Sequence, residues 1–129
     1  MSLQKMYERF SNLRIVSVEN GSSFLPDLFR KLPQQKNKLM GWFKEDPLEL
    51  FKEHVWINPF WEDDPYEVAD LMGPDRVVFG SDWPHIEGMP APLDYVMELK
   101  EFSIDDQKKI LLDNVSALNE PRPLLNGHR

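Results

Sequence analysis

Three short apolar runs, Leu13 to Val18, His54 to Ile57 and Arg76 to Phe79, punctuate the chain, and helix-patterned segments separate them. The runs are nearly apolar on both faces, as strands are when helices cover both sides of their sheet. Strand, helix, strand at this spacing marks βαβ units, in which helical crossovers join parallel strands. The expected fold class is therefore α/β. Its three parallel strands fall near residues 13–19, 54–58 and 76–80, in that spatial order and with right-handed crossovers.

The intervening segments carry their own punctuation. After the first run, Asn20-Gly21 offers a turn, Ser22 or Ser23 an N-cap, and Leu25, Leu28, Phe29 and Leu32 form one apolar helical stripe. Pro33 is expected to end or kink that helix, because it lacks an N–H and crowds the preceding turn. Two later helices open on Asp-Pro, at Asp46-Pro47 and Asp64-Pro65, where the aspartate caps and the proline occupies the first helical position. Gly73-Pro74 should stop the second of them before the third strand. "APLDYVMELK" reads as a helix, and "SIDDQKKILLDNVSALN" as another, with Ser103 as its cap and Asp106 placed to reach back.

Composition narrows the possible partners. At 129 residues, 41% hydrophobic and 12% aromatic, the chain is one globular domain's worth. A net charge of -7 with no basic run argues against nucleic acid or an anionic membrane as partner. The absence of cysteine removes disulfides, thiolate zinc sites and a thiol nucleophile together, and suits a reducing, cytoplasmic setting. Three strands cannot close a barrel, so both outer strands would expose backbone N–H and C=O groups. That predicts a homodimer or higher homo-oligomer.

The chemistry concentrates in "VVFGSDWPHIEG", residues 77–88. A run of strand formers breaks at Gly80 and at once presents Ser81, Asp82, Trp83, Pro84 and His85. In parallel α/β proteins the carboxyl ends of strands carry the active site. Asp82 is either a turn residue or a metal ligand. His85 either orients it or stands in solvent.

"DRVVFGSDWPH" resembles the last-strand signature of the amidohydrolase-related family, metal-dependent (β/α)8-barrel hydrolases and decarboxylases. "VWINPFWEDD" is similar to that family's seventh strand, "NLRIVSVENGSSFLPDLFRKL" to its sixth strand and following helix, and "KKILLDNVSALN" to its closing helix with an Asn-x-x-x-Leu element. The likeness runs from about Phe10 to Asn119. It implies a partial TIM barrel, roughly the last three βα units of a fold that takes about 250 residues. Residues 10–119 form that C-terminal part, 1–9 a leading tail whose Met1-Ser2-Leu3 resembles a cloning remnant, and 120–129 a flexible tail.

The resemblance implies Asp82 as the ligand of a divalent metal, zinc first, and as a relay for the proton of the metal-bound water. The histidines that complete the family's metal site have no counterpart here, so this chain is expected to hold metal weakly or not at all and to be inactive alone. Where relatives end the sixth strand on His, this chain reads Val18-Glu19-Asn20-Gly21, which puts Glu19 in the position of the general acid/base. With strands about 4.8 Å apart, Glu19 and Asp82 should stand about 10 Å from each other. Asn20, Phe60, Trp61, Trp83 and His85 are the candidate pocket lining, with burial in the core the alternative for the aromatics and expected for Trp56. Glu62-Asp63-Asp64 reads as a solvated loop and a helix cap. The leading reading is the C-terminal portion of a metal-dependent amidohydrolase-like enzyme acting on a small carboxylic, ester or amide substrate, by hydrolysis or decarboxylation. The alternative is a non-catalytic truncated barrel serving as an interaction module.

Overall fold

The computed structural model describes residues 5–121. Most of the segment expected as a C-terminal tail, from residue 122 onward, lies outside the described residues. A short helix α1 (Met6–Arg9) leads into β1 (Ile15–Ser17), α2 (Leu25–Lys38), α3 (Pro47–His54), β2 (Val55–Ile57) and α4 (Pro65–Met72). A 3-10 turn at Pro74–Arg76 precedes the third strand position. Another at Pro92–Asp94 opens α5 (Tyr95–Glu98), and α6 (Ile104–Lys108), a π-helical turn at Lys109–Asp113 and α7 (Asn114–Asn119) follow.

β1 and β2 pair in parallel, Ile15 with Val55, Val16 with Trp56 and Ser17 with Ile57. The third position joins through one parallel bridge, Ile57 with Val77, and through the Val78 N–H donating to the Ile57 carbonyl (2.9 Å). The order and sense are those expected, but the strands are shorter. Successive residues of a strand turn their backbone groups to opposite sides, and the outward groups of the third strand position are taken by the C-terminal helices. The Phe79 N–H donates to the Ile110 carbonyl (3.1 Å), and Asn114 Nδ2 donates to the carbonyls of Val77 (2.7 Å) and Pro74 (2.9 Å). This corrects the expectation of two exposed edges. The outer side of the third strand position is covered by helical residues, and no strand among the described residues pairs with the outer side of β1.

The core lies between the sheet and its helices, with Leu25, Ile57, Val77, Leu99 and Ile110 fully buried. Fully burying such a side chain stabilises by about 1.5–3 kcal/mol, which fixes which face of each short strand turns inward. α2 buries Leu25 and Leu32 as its apolar stripe requires, yet it runs through Pro33 to Lys38. The lost ladder bond is outweighed by the packing of α2 on α3 and α4. Its N-cap is Phe24, with no side-chain bond, rather than Ser22 or Ser23. The Asp-Pro devices fold as read: Asp46 accepts from the Leu48 N–H (2.9 Å) and Asp64 from the Tyr66 N–H (2.8 Å). Gly73, at φ 87°, ends α4. Ser103 accepts from the Asp106 N–H and donates to its carboxylate.

Two expectations at the start of the chain change. Residues 5–9 are not a loose tail, because Tyr7 is buried and stacks on His54 with ring centroids 4.9 Å apart. His54 ends α3 rather than starting a strand, and its Nδ1 donates to the Leu13 carbonyl (2.7 Å). Arg14, just before β1, donates to the carbonyls of Ala117 and Glu120 (2.8 Å each), tying the end of α7 to the entrance of the sheet.

Candidate active site

All three strand positions deliver their chain toward one edge of the sheet, and three loops meet there. Residues 18–23 follow β1, residues 58–64 follow β2, and residues 80–90 follow the third strand position. Together they enclose a cleft of about 700 Å³ lined by Glu19, Asn58, Phe60, Trp61, Glu62, Asp82 and their neighbours. Glu19, Pro59 and Asp82 share this edge, as the strand pattern demanded.

Two backbone turns aim the carboxylates. Glu19 and Asp82 adopt φ 57° and 55°, the left-handed region that residues with a β-carbon rarely enter. Each turns sharply on leaving its strand, and the side chains swing toward each other across the end of β2. Their carboxyls lie in hydrogen-bonding contact. The expected separation of about 10 Å, taken from strand spacing alone, is therefore wrong for the side chains. Asp82, through that contact, holds the Glu19 carboxyl above the ordinary carboxylate range. Partial desolvation and the charges of Asp82 and Glu87 push the same way, while His85 opposes them.

His85 reaches the other side of the pair, its Nδ1 standing 3.1 Å from Asp82 Oδ2. It is not among the residues lining the cleft. Trp83 is 66% exposed and likewise outside that lining. Asn20 turns back on its own strand, donating to Ser17 Oγ (3.3 Å) and the Val18 carbonyl (3.2 Å). Of the five expected pocket residues, the structure gathers Phe60 and Trp61 at the cleft and leaves Asn20, Trp83 and His85 beside it. Trp56 is buried, as expected of a core residue, with the Arg76 guanidinium over its ring and Nε1 donating to the Asp75 carbonyl.

Three contributors escaped the sequence reading. Asn58 is buried where β2 ends, and its Nδ2 lies within reach of the carbonyls of Pro59 (3.2 Å), Val78 (3.3 Å) and Gly80 (3.5 Å). An amide between an apolar strand and a proline was its only sequence signal. Asp63 joins two loops through its carboxylate, and Glu87 offers its carbonyl to Trp61 Nε1 (3.3 Å). The loop containing Glu87 closes on itself, with the Met89 N–H donating to the Ser81 carbonyl (2.8 Å). Gly88 permits this, since a β-carbon there would come within 2.7 Å of the Asp82 carbonyl carbon.

The amidohydrolase family profile matches residues 1–118. The chain belongs to the amidohydrolase family. An amidohydrolase of Mycobacterium avium subsp. paratuberculosis superposes with a TM-score of 0.88 at 42% identity, over 92% of this chain and 31% of that one. The 5-carboxyvanillate decarboxylase of Sphingomonas paucimobilis superposes at 0.69 and 19% identity, over 92% of this chain and 37% of its own, which extends the likeness of fold. This amidohydrolase chain thus spans about a third of the length of either structure, and its parallel strands are part of a TIM barrel. Among curated proteins none matches it.

The family implies a divalent metal. The described residues do not make a site for one: Asp82 is engaged by Glu19 and His85, and no group of three or more His, Cys, Asp or Glu among them is arranged to hold an ion. No helix among them is long and apolar enough to cross a membrane.

Proposed function

We propose that this chain supplies one wall of the active site of an amidohydrolase that hydrolyses a small neutral ester or amide. The observation that carries the reading is the Glu19–Asp82 carboxyl pair at the mouth of a cleft on the carboxyl edge of the sheet. Two carboxyls in contact, with Glu19 held above the ordinary carboxylate range, can divide the roles of donor and acceptor, taking a proton from an attacking water and returning one to a leaving group. Phe60 and Trp61 give the cleft apolar walls for the substrate body. A divalent metal, zinc first, belongs to the whole-protein reading, with Asp82 as this segment's ligand and the remaining ligands outside the described residues.

Hydrolysis is favoured over decarboxylation by charge. The cleft lining includes Glu19, Glu62, Asp82 and Glu87, with neither Lys nor Arg among them. A carboxylate substrate would meet like charge there, whereas a neutral ester or amide would not.

The test is a chimera in which this chain replaces the corresponding part of the Mycobacterium avium amidohydrolase, assayed on neutral esters and amides and on aromatic carboxylates. The expected result is turnover of neutral substrates that is lost in Glu19→Gln. Turnover unaffected by that substitution would remove Glu19 from the chemistry, and carbon dioxide release from the carboxylates alone would overturn the hydrolase reading.

A second reading, an interaction module, draws on the open side of β1. Val16 and Val18 are 37% and 52% exposed there, and no strand among the described residues pairs with that side. A second copy of the chain is the proposed occupant.

A further inference from the structure

We propose that Asp63 is the positioning residue of this site: its carboxylate staples the loop after β1 to the loop after β2 and so sets where Glu19 stands. One oxygen, Oδ2, accepts from the Ser22 N–H (2.9 Å) and from the Phe60 N–H (3.0 Å), which belong to different loops. Bonds to an ionised acceptor are roughly twice as strong as neutral ones, so a single carboxylate holds both firmly.

The staple has a second layer. Gly21 takes φ 60° and lies so close to the Phe60 ring that a β-carbon would come within 2.9 Å of it. Residues 21 and 22 therefore rest on residues 60 and 63 by packing and by hydrogen bond together. Glu19 stands three residues before Ser22, in its own left-handed turn. With Ser22 fixed, the turn has little freedom, and the exposed Glu19 carboxyl is held against Asp82. Asp63 itself is not among the residues lining the cleft. It acts through the two loops.

Asp63 sits in an acidic run whose neighbour has a different task. Asp64 caps α4 through the Tyr66 N–H. Removing either carboxylate costs hydrogen bonds of comparable kind, but only Asp63 touches the loop that carries Glu19. Asp64→Ala is thus the control for simple destabilisation.

The inference deepens the acid/base reading of Glu19 and rests on it for its catalytic meaning, while the experiment reads geometry alone. Amide hydrogen exchange and the three-bond HN–Hα coupling are measured by NMR on the whole chain and on Asp63→Ala, Asp63→Asn and Asp64→Ala. In Asp63→Ala, the Ser22 and Phe60 amides should lose protection by about ten- to a hundredfold, as for charge-assisted bonds removed. The Glu19 coupling should leave its left-handed value. Asp64→Ala should leave all three reporters unchanged while loosening the first turn of α4. Asp63→Asn keeps an acceptor oxygen and should restore the Glu19 coupling, with exchange at Ser22 and Phe60 faster by only a few fold. Should the alanine variant fail to fold, exchange at those two amides in Asp63→Asn decides the matter. Unchanged reporters in a folded variant, or an equal response to Asp64→Ala, would overturn the proposal. Neither outcome depends on turnover, so a Glu19 that proves correctly held but dispensable in the chimera would count against the acid/base reading and not against the staple.

Discussion

The α-carbon of Gly80 stands against the side-chain amide of Asn58, so that a β-carbon at Gly80 would come within 3.0 Å of the amide oxygen and 3.1 Å of its nitrogen. Asn58 has nowhere to retreat, being buried and held by carbonyls on both sides. Gly80→Ala should therefore destabilise the fold by about 1–2 kcal/mol through overpacking. In an Asn58→Ala background the same substitution should cost markedly less, because the obstructing amide is gone. Urea denaturation of the four proteins completes the cycle, and strict additivity would show that the contact carries no energy.

Asp46 gives a pH-dependent prediction with a fixed sign. The Lys36 ammonium, chiefly, and the Leu48 N–H hold its carboxyl below the ordinary carboxylate range. A carboxyl depressed in the folded state adds stability above its unfolded value of about 3.9, and that stability disappears as pH falls through the folded value. Asp46→Ala should lose about 1 kcal/mol at pH 7, typical of an N-cap. The difference from wild type should shrink as pH falls through the depressed folded value. Urea midpoints across that range would show it, and a difference independent of pH would place the effect elsewhere.

Glu19 behaves with the opposite sign. Its carboxyl is held above the ordinary range, so its favourable contribution is present at low pH and is lost as pH rises through the folded value. Glu19→Gln keeps a neutral partner for Asp82 and removes the repulsion. It should melt higher than wild type at pH 7 and no higher at pH 4, as thermal scans at the two values would reveal.

Zinc should bind this chain weakly. Asp82, Glu19 and His85 already satisfy one another, whereas a tight zinc site takes about four ligands. Calorimetric titration is expected to give no tight one-to-one complex. A tight complex abolished by Asp82→Ala would show a more complete site than the described residues form.

The open side of β1 predicts a homodimer at micromolar concentration. Val16→Lys or Val18→Lys should shift it to monomer by placing charge on that edge. Light scattering at fixed concentration measures the change, and a wild-type chain already monomeric would remove the basis for the interaction reading.

The features legible in the sequence were those governed by local rules. Asp46-Pro47, Asp64-Pro65 and Gly73 each act within one turn of backbone, and each folded as read. The order and sense of the strands followed from apolar runs alternating with helices, and the placing of Asp82 at a strand end followed from Gly80. What escaped depends on contacts between distant segments. Pro33 sits inside α2 because packing on other helices outweighs one missing bond. The meeting of Glu19 with Asp82 needs two left-handed turns at residues that carry β-carbons, a choice imposed by the fold and not by propensity. Asp63 looked like one acid in a solvated run because its partners are Phe60 nearby and Ser22 forty-one residues away.

The C-terminal helices close one margin of the sheet, and no strand among the described residues covers the other, so any lateral growth would be confined to one side. Sheets free at both margins can recruit neighbours without end, the geometry that leads to fibres. A dimer formed through β1 would use the margin that no strand among the described residues occupies. Ile110 and Asn114 occupy the backbone groups through which a further strand would add on the other side, so loosening them, as by Asn114→Ala, should raise the tendency to aggregate.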